Sequence, residues 1–289
     1  IADRLGCSTE EAAWRIKQTV DQATAENIRR VAEADGLTGA SLRDTVLVVY
    51  GGAGPTHAAG LLEALGARRA LTTPYSPVFS AFSSSTMDVM HAYSTAARLV
   101  LAENGATPTV AEQFNTLVEP LIARAERDMR GEGFASDAVR HELELLVRNE
   151  TDEVAVTTSR TRLETSNDVH GLAETCRQAT GLGTRQPVLV TLLTLRATAA
   201  VPRFAPAEHV LVGPDPGAAQ KGQREVYWGP QSGWLATAIY ERKQLRSGNR
   251  VSGPAVIEGE DTTYVIPPGF QFVVDQRLNG VLEAVTSNQ

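Results

Sequence analysis

Residues 45–57 read TVLVVYGGAGPTH, and this stretch decides the fold class of the first part of the chain. The run Thr45–Tyr50 is rich in β-branched residues and apolar on both faces, which predicts a buried central strand. Glycines follow at positions 51, 52 and 54, and Pro55 suits the first position of a helix, where a missing N–H costs nothing. A strand, a glycine loop and a helix in this order predict an α/β layer.

The glycine loop has the chemistry of a site for an anion or a nucleotide. Glycine has no Cβ, so a ligand can lie directly against the backbone, and the next helix would direct its positive end and free amides at that ligand. The loop lacks the Gly-Lys-Ser/Thr of a Walker motif and the GxGxxG spacing of a dinucleotide fold. Because many strand-to-helix turns use glycine only to turn tightly, the residues alone leave both interpretations open.

The segments around the loop predict further helices and a short strand. Ser8 and Glu11 form a capping box before a helix that runs from about Thr9 to Asp35, and Gly36 ends it. The alternation of helices and strands predicts a largely parallel sheet that ends near residue 100. The predicted apolar face of the first helix comprises Ala13, Ile16, Val20, Thr24, Ile28 and Val31. The other predicted elements are a helix from Thr56 to about Leu65, a strand at Arg69–Thr73 and a helix at Pro77–Met87.

The second half of the chain has the pattern of an antiparallel β domain. A long amphipathic helix from Thr109 to Arg130 is predicted to connect it to the first half. Polar and apolar residues then alternate from Val139 to Arg148, which is the pattern of a strand with one buried face. Turns rich in glycine and proline separate further predicted strands at Val154–Thr158, Pro187–Ala200, Glu225–Trp228, Ala255–Ile257, Tyr264–Ile266 and Phe270–Val274, and a helix is predicted from Ser166 to about Ala179.

The composition excludes several classes of protein. The 289 residues include 42% hydrophobic and 21% charged residues, which is typical of a globular protein. A net charge of −7 without a basic cluster argues against an electrostatic nucleic-acid binder. Cys7 and Cys176 lie far apart, which excludes a disulfide scaffold and a zinc ribbon and fits a reducing compartment. No run reaches the ~20 apolar residues of a membrane span, so we expect a cytoplasmic protein.

The remaining polar and aromatic candidates have structural explanations beside functional ones. Five histidines, at positions 57, 91, 141, 170 and 209, have no metal-binding spacing, so no metal site is predicted. His57 lies in the first turn after the glycine loop, where it would either contact a phosphate or cap the backbone. An acidic turn is expected at residues 258–263, as a solvated hairpin in preference to a cation site. Trp228 and Trp234 are expected to pack the β domain or a subunit interface.

Two longer stretches resemble the hydantoinase A/5-oxoprolinase family. The first is VVYGGAGPTHAAGLLEALGARRALTTPYSPVFSAF (Val48–Phe82), which is followed by Met87-Asp88-Val89. The second is SGNRVSGPAVIEGEDTTYVIPPGFQFVVD (Ser247–Asp275), which resembles the C-terminal domain of the same family. The family includes the ATP-binding subunits of acetone and acetophenone carboxylases, and the two stretches together bracket most of the chain.

This resemblance implies a fold and a cofactor. The family's ATPase is of the actin/Hsp70/sugar-kinase type, so residues 1–105 are expected to form the second half of an actin-like nucleotide-binding domain. Residues 106–135 would be a helical connector, and residues 136–289 would form the β-rich, mainly antiparallel C-terminal domain of the hydantoinase A type. Gly51, Gly52, Ala53 and Gly54 would line the adenosine side of ATP, with Thr56 and His57 just behind them. Mg²⁺ would accompany the nucleotide.

The resemblance also implies that this chain acts with partners. A complete ATPase of this type needs a phosphate loop of the DxGGTxxD kind, which supplies a carboxylate for Mg²⁺ and amides for the phosphates, and that motif is not among these residues. We therefore expect a fragment or one part of a naturally split subunit, inactive without a chain that carries the first half of the ATPase fold and a hydantoinase B-like subunit. The implied activity is ATP-dependent carboxylation of a ketone such as acetone or acetophenone with bicarbonate. The alternatives are an ATP-dependent hydantoinase or 5-oxoprolinase, which hydrolyses a cyclic amide, and a non-catalytic scaffold; the catalytic residues are unknown.

Overall fold

The computed structural model describes residues 1–101, 107–149, 152–184 and 186–285. The chain divides into two compact units, one formed by Ile1–Ser85 with Phe204–Gln289 and the other by Thr86–Arg203. The α-helices are α1 (Ala2–Leu5), α2 (Thr9–Ala34), α3 (Gly39–Arg43), α4 (Gly54–Leu65), α5 (Phe79–Ser85), α6 (Thr107–Gly131) and α7 (Ser166–Thr180). The strands are β1 (Val46–Val48), β2 (Arg69–Thr72), β3 (Val89–Leu101), β4 (Val139–Arg148), β5 (Glu153–Thr158), β6 (Val188–Ala199), β7 (Gln220–Tyr227), β8 (Trp234–Glu241), β9 (Arg250–Ser252), β10 (Ala255–Glu258), β11 (Thr263–Ile266), β12 (Phe270–Val274) and β13 (Gly280–Ala284).

The first unit is built on two sheets. Its five-stranded sheet has the order β1-β2-β13-β12-β9, in which β1 and β2 run parallel and the other neighbours run antiparallel. Its four-stranded sheet has the order β11-β10-β8-β7, in which β10 and β8 run parallel. Helix α4 packs on β2, β11 and β13, and α2 packs on α4. Leu62 of α4, Ile257 of β10 and Phe272 of β12 are almost fully buried in this core.

The prediction of a largely parallel sheet is wrong for the part of the chain that the structure describes. Only β1 and β2 run parallel in the five-stranded sheet, and the next strand is β13, which comes from the far end of the sequence and runs antiparallel to β2. Local alternation of helices and strands cannot predict that distant strand. The prediction of mainly antiparallel β structure in the second half is confirmed, since β10/β8 is the one parallel pair described there.

Helix α2 has the predicted ends but buries a different face. Ser8 accepts a hydrogen bond from the backbone N–H of Glu11 (3.2 Å), and Gly36 follows the helix with φ +79°. The predicted apolar face is wrong, because Ile16, Val20 and Val31 are exposed while Ile28 is half-buried. The buried residues of α2, which packs on α4, are Ala12, Asp21, Ala25 and Ala32. Small side chains lie in the interface because the two helices approach closely.

Strand β1 is an edge strand rather than a buried central one. Within the described residues its hydrogen-bonded neighbour is β2 alone. Val46, Val48 and the following Tyr50 are exposed, whereas Leu47 is half-buried and Val49 is buried. The apolar residues predicted packing on both faces of the strand and a paired strand at each edge. Among the described residues, β2 pairs with one edge of β1, and Val46 and Val48 are exposed.

The second unit is an antiparallel sheet covered by two helices. The strand order is β3-β6-β4-β5, and both α6 and α7 pack against it. The predicted strand from Val139 to Arg148 is confirmed with its bounds, and Leu143, Leu145 and Val147 on its inner face are fully buried. Phe114 and Met129 of α6 are fully buried in the same core.

The structure groups the residues differently from the predicted domains 1–105, 106–135 and 136–289. The helix predicted as a connector is part of the core of the second unit, because its apolar face packs on β3 and β6. The strands after residue 204 belong with the first 85 residues, because β13 pairs with β2. The predicted boundary at residue 105 itself lies outside the described residues. No helix among the described residues is long and apolar enough to cross a membrane.

Candidate functional site

The glycine loop lies between β1 and the first turn of α4. Gly51 has φ +80°, a conformation that favours glycine, and its N–H donates to the carbonyl oxygen of Ser76 (2.7 Å). A Cβ added at Gly51 would meet no atom within 4 Å, so this position faces open space. Gly54 begins α4 with an ordinary backbone conformation, so Pro55 lies in the first turn as its second residue and not at the predicted first position. Backbone groups at the start of a helix are suited to bind an anionic ligand.

The other side of the loop is held by the turn between β10 and β11. The hydroxyl of Thr262 donates to the carbonyl oxygen of Gly52 (2.9 Å), and the hydroxyl of Thr56 donates to the carbonyl oxygen of Thr263 (3.0 Å). A Cβ at Gly52 would lie 3.2 Å from the carbonyl oxygen of Asp261, so the packing of the protein itself favours glycine there. The predicted acidic hairpin is present, with Glu260 and Asp261 exposed, but Thr262 is buried against the glycine loop and is not solvated as predicted.

The acidic side chains of that turn are paired with lysines and arginine. Glu258 bonds Lys221 (2.9 Å) and lies 3.6 Å from Arg224, and Glu260 bonds Lys243. The hydrogen bond from Lys221 holds the pKa of Glu258 below its usual value. Among the described residues, no group of three or more histidine, cysteine, aspartate or glutamate side chains is placed to hold a metal ion. These carboxylates therefore act as ion-pair partners in this structure.

His57 is held by a buried carboxylate from the neighbouring helix. Its Nδ1 lies 2.6 Å from Oδ1 of Asp21, and Oδ2 of Asp21 accepts a hydrogen bond from Lys17 (2.6 Å). Asp21 is only 5% exposed, and a Cβ at Gly60 would overlap its carboxylate. The interaction fixes the orientation of the imidazole ring and joins α2 to α4. Sequence reasoning missed Asp21, since its spacing from Lys17 is that of an ordinary surface pair.

A cleft opens on the far side of Thr56, still within the first unit. It has a volume of about 420 Å³, and its walls include Trp14 and Lys17 of α2 together with Trp228 and Val265. The indole N–H of Trp228 donates to the hydroxyl of Thr237 (2.9 Å), and both side chains are buried. The prediction that Trp228 packs the β domain is confirmed. Trp234 contacts the ring of Tyr227 but is more than half exposed.

Two other titratable candidates belong to the second unit. His91 pairs there with Glu132 (2.8 Å). Cys176 is fully buried in the same unit, and burial raises the pKa of its thiol to about 11. A thiol with that pKa is almost entirely protonated at neutral pH and is therefore a poor nucleophile.

Comparison with known proteins identifies relatives along the whole chain. The profile of the hydantoinase/oxoprolinase family matches residues 1–93, and the profile of the hydantoinase/oxoprolinase C-terminal domain matches residues 102–279. The acetophenone carboxylase gamma subunit of Aromatoleum aromaticum is 35% identical over 298 aligned positions, which cover 99% of this chain and 40% of that protein. The chain thus spans well under half the length of this relative.

Two solved structures share the fold. A nucleotide-free structure of acetone carboxylase superposes with a TM-score of 0.84 at 25% identity, over 99% of this chain and 41% of that one. The ATP-dependent caprolactamase of Pseudomonas jessenii superposes with a TM-score of 0.70 at 26% identity, over 98% of this chain and 41% of that one. The mixed α/β architecture is that of the second half of an actin/Hsp70-like ATPase fold with a mainly antiparallel β domain. The chain belongs to the hydantoinase/oxoprolinase family.

Proposed function

We propose that this chain contributes the adenosine side of the ATP site in an ATP-dependent ketone carboxylase that uses bicarbonate. The observation that carries the proposal is Gly51, whose Cβ position faces open space beside the start of α4. The relatives support the reaction class, because acetophenone carboxylase and acetone carboxylase are among the proteins most similar to this chain. The complete enzyme would be a hetero-oligomer. The polypeptide that carries the phosphate loop would lie outside these residues, and we call it the phosphate-loop half. A hydantoinase B-like subunit would be the other partner in this complex. The cytoplasmic location stays a prediction.

The contacts within the loop divide the six proposed site positions into two groups. Gly51 and Gly54 would lie against the nucleotide, together with Ala53, because their backbone faces the open side of the loop or begins the helix. Gly52 and Thr56 are engaged by the β10–β11 turn and would hold the loop in shape. His57 would stand behind the loop with its ring oriented by Asp21. The adenosine would then contact backbone atoms of the loop, because a side chain at that position would occupy the space that the adenosine needs.

The proposed chemistry activates a carbonyl oxygen. The terminal phosphoryl group of ATP passes to the oxygen of a ketone enolate or of bicarbonate, and ADP is released. The enolate carbon then attacks the carboxyl carbon derived from bicarbonate, so that the new carbon–carbon bond forms while the bond to the transferred phosphoryl group breaks and inorganic phosphate leaves. Mg²⁺ and the groups that bind the β- and γ-phosphates would come with ATP and the phosphate-loop half, so this chain would position the nucleotide and would not itself contact the transferred group.

The first alternative is ATP-dependent hydrolysis of a cyclic amide. It is supported by the likeness to caprolactamase and by the family name, and it would use the same ATP site to phosphorylate an amide oxygen. The second alternative is a scaffold that binds no nucleotide. The close contact between Gly52 and Asp261 supports the scaffold, because it explains one glycine of the loop without any ligand.

The reaction is tested by ATP hydrolysis in the assembled protein, which contains this chain, the phosphate-loop half and the other subunits. Acetone, acetophenone, hydantoin and lactams are supplied in turn, with and without bicarbonate. We expect ADP release that requires both a ketone and bicarbonate. ADP release with a lactam or hydantoin and without bicarbonate would support the first alternative. Absence of ATP binding by the assembled protein would support the scaffold.

A further inference from the structure

The cleft between α2 and the four-stranded sheet is not used by the proposed contacts with ATP. Its volume of about 420 Å³ lies within the range of pockets that hold small molecules, about 300–1,000 Å³. Its walls come from the first turns of α2, from the start of α4 and from strands β7, β10 and β11. All these elements belong to the first unit, so one compact body forms the whole site. We call it the α2 cleft.

Two tryptophan side chains, Trp14 and Trp228, line the apolar part of the α2 cleft. The indole ring of Trp14 packs on the backbone of Gly229, where an added Cβ would lie 2.7 Å from the ring. The indole of Trp228 is buried and is held by its hydrogen bond to Thr237 (2.9 Å). Both rings are therefore fixed before a ligand arrives, and each offers a large apolar contact area. The other apolar residues of this wall are Val226, Val256 and Val265.

A guanidinium group with available donors lines the same cleft. Arg224 of β7 has a side chain that is 56% exposed. The carboxylate of Glu258 lies 3.6 Å from Nη1 of Arg224, which is too long for a hydrogen bond. Glu258 instead accepts a hydrogen bond from Lys221 (2.9 Å). The N–H groups of Arg224 are thus not used by Glu258 and can bind a ligand.

The other charged groups at the cleft have partners within the protein. Lys17 adds a second positive charge, and its ammonium group donates to Oδ2 of Asp21 (2.6 Å), which also binds His57. Glu10 lines the cleft too, and hydrogen bonds from its own backbone N–H and from Ser8 hold the pKa of its carboxyl below the usual value. These carboxylates are engaged at the ends and sides of α2 and do not take up the donors of the guanidinium group.

This combination of side chains selects a carboxylate with an apolar body. A guanidinium group presents parallel N–H donors that match the two oxygens of a carboxylate. The indole rings and the valines match an aromatic or aliphatic body. An inorganic anion would leave the rings without a partner, and a neutral ketone would leave the guanidinium donors without one.

We propose that the α2 cleft binds a small organic acid, whose carboxylate pairs with Arg224 and whose aromatic or aliphatic body packs on Trp14 and Trp228. This site is separate from the nucleotide contacts proposed for the glycine loop. The proposed ketone substrates do not belong to its ligand class, because a ketone carries no carboxylate. The keto acid that carboxylation of a ketone forms does carry one. Its membership of the class rests on the proposed function, whereas the class itself rests on the cleft alone.

Photolabelling locates the ligand in the assembled protein. 4-Benzoylbenzoate, an aromatic carboxylate with a photoreactive ketone, is bound and irradiated, and the labelled peptides are identified by mass spectrometry. We expect a label within residues 10–17 or 224–228 that an excess of phenylacetate suppresses. Acetophenone, which has the same ring without a carboxylate, should not suppress it. Absence of a label from both segments, or equal suppression by acetophenone, would overturn the proposal.

Two arginine variants test the charged contact. Arg224→Gln removes the guanidinium group from the cleft. Arg277→Gln is the matched control, because Arg277 is 54% exposed, pairs with Glu208 and lies outside the cleft. Isothermal titration calorimetry with phenylacetate should give a dissociation constant at least about tenfold higher for Arg224→Gln, a difference of about 1.4 kcal/mol, and an unchanged one for Arg277→Gln. An unchanged constant for Arg224→Gln, or an equal increase in both variants, would contradict the assigned contact.

ATP binding by the same preparation separates this proposal from the proposed function. Labelling of the cleft and weaker phenylacetate binding by Arg224→Gln, in a protein that does not bind ATP, support the organic-acid site and contradict the proposed function. ATP binding without a label in either segment overturns the organic-acid site alone.

Discussion

The hydroxyl of Thr262 donates a hydrogen bond of 2.9 Å to the carbonyl oxygen of Gly52, across 210 positions of the sequence. The bond joins the turn between β10 and β11 to the glycine loop, so the C-terminal strands set the shape of a loop that the first part of the chain supplies. The carbonyl oxygen of Asp261 lies against Gly52 from the same turn. The packing of the protein itself therefore favours glycine at position 52, whereas at position 51 the backbone conformation, with φ +80°, favours it.

Thr262→Val should loosen the glycine loop. The substitution keeps the size of the side chain and removes the donor to Gly52, so we expect the free energy of unfolding of the assembled protein to fall by about 1 kcal/mol. Thr262→Ser retains the hydroxyl, so its free energy of unfolding should fall by less. Denaturant unfolding of the two variants provides the measurement, and an equal loss in both would show that the hydrogen bond contributes nothing.

Asp21 and Gly60 should behave as a coupled pair. Asp21→Ala leaves Lys17 and His57 without their shared carboxylate and should cost about 1.5–3 kcal/mol. Gly60→Ala alone forces a methyl group into that carboxylate and should cost about 1–3 kcal/mol. In the double variant the overlap with the carboxylate is gone and only a close contact of 3.2 Å between the two Cβ atoms is left, so Gly60→Ala should cost much less there than in wild type.

The measurement for this pair is the free energy of unfolding of wild type, both single variants and the double variant. We expect Gly60→Ala to cost much less free energy of unfolding in the Asp21→Ala background than in wild type, which means strong coupling between the two positions. Additive losses would mean that the carboxylate has room to move, and the close packing of α2 on α4 would then be wrong.

Cys176 should make the protein less stable at alkaline pH. Burial raises the pKa of this thiol from 9.0 to about 11 in the folded chain. Since the unfolded chain loses the proton first as pH rises, the stabilising effect is complete below pH 9.0 and is lost between that value and about 11. The extra loss attributable to this thiol should approach about 1.4 kcal/mol per pH unit within that window.

Cys176→Ala is the variant that tests this pH dependence, and Cys7→Ala is its control. The free energy of unfolding between about pH 9 and pH 10.5 should fall less steeply in Cys176→Ala than in wild type. Cys7→Ala should retain the wild-type slope. Parallel slopes in all three proteins would show that the Cys176 thiol does not hold its proton in the folded state.

Local sequence signals predicted the parts of the fold that depend on neighbouring residues. Ser8 and Gly36 end α2 where capping rules place them, and the alternating pattern from Val139 to Arg148 became β4 with the same bounds. The buried face of α2 was missed because α4 selects small residues there, and this selection depends on a helix that lies elsewhere in the sequence. Strand β1 was predicted to be central from its apolar residues, but among the described residues it pairs with β2 alone, because the position of a strand in a sheet depends on distant parts of the chain.

The candidate site was predictable only in outline. The glycines and Pro55 indicate a strand, a turn and a helix start, and the structure has all of them. Asp21 and Thr262 carry no local signal, because an aspartate four residues after a lysine and a threonine in an acidic turn are typical of solvated surfaces. Both residues gain their roles from contacts across 36 and 210 positions.

The most direct test of the nucleotide site compares Gly51→Ala with Gly36→Ala in the assembled protein. The two glycines have φ values of +80° and +79°, and a Cβ at either would meet no atom within 4 Å, so both variants should lose about the same stability, roughly 1 kcal/mol. Isothermal titration calorimetry then measures the dissociation constant for ATP. The account predicts that Gly51→Ala binds ATP at least about tenfold more weakly than wild type, a difference of about 1.4 kcal/mol, while Gly36→Ala binds it normally. Unchanged ATP affinity in Gly51→Ala would contradict the placement of the nucleotide against this loop.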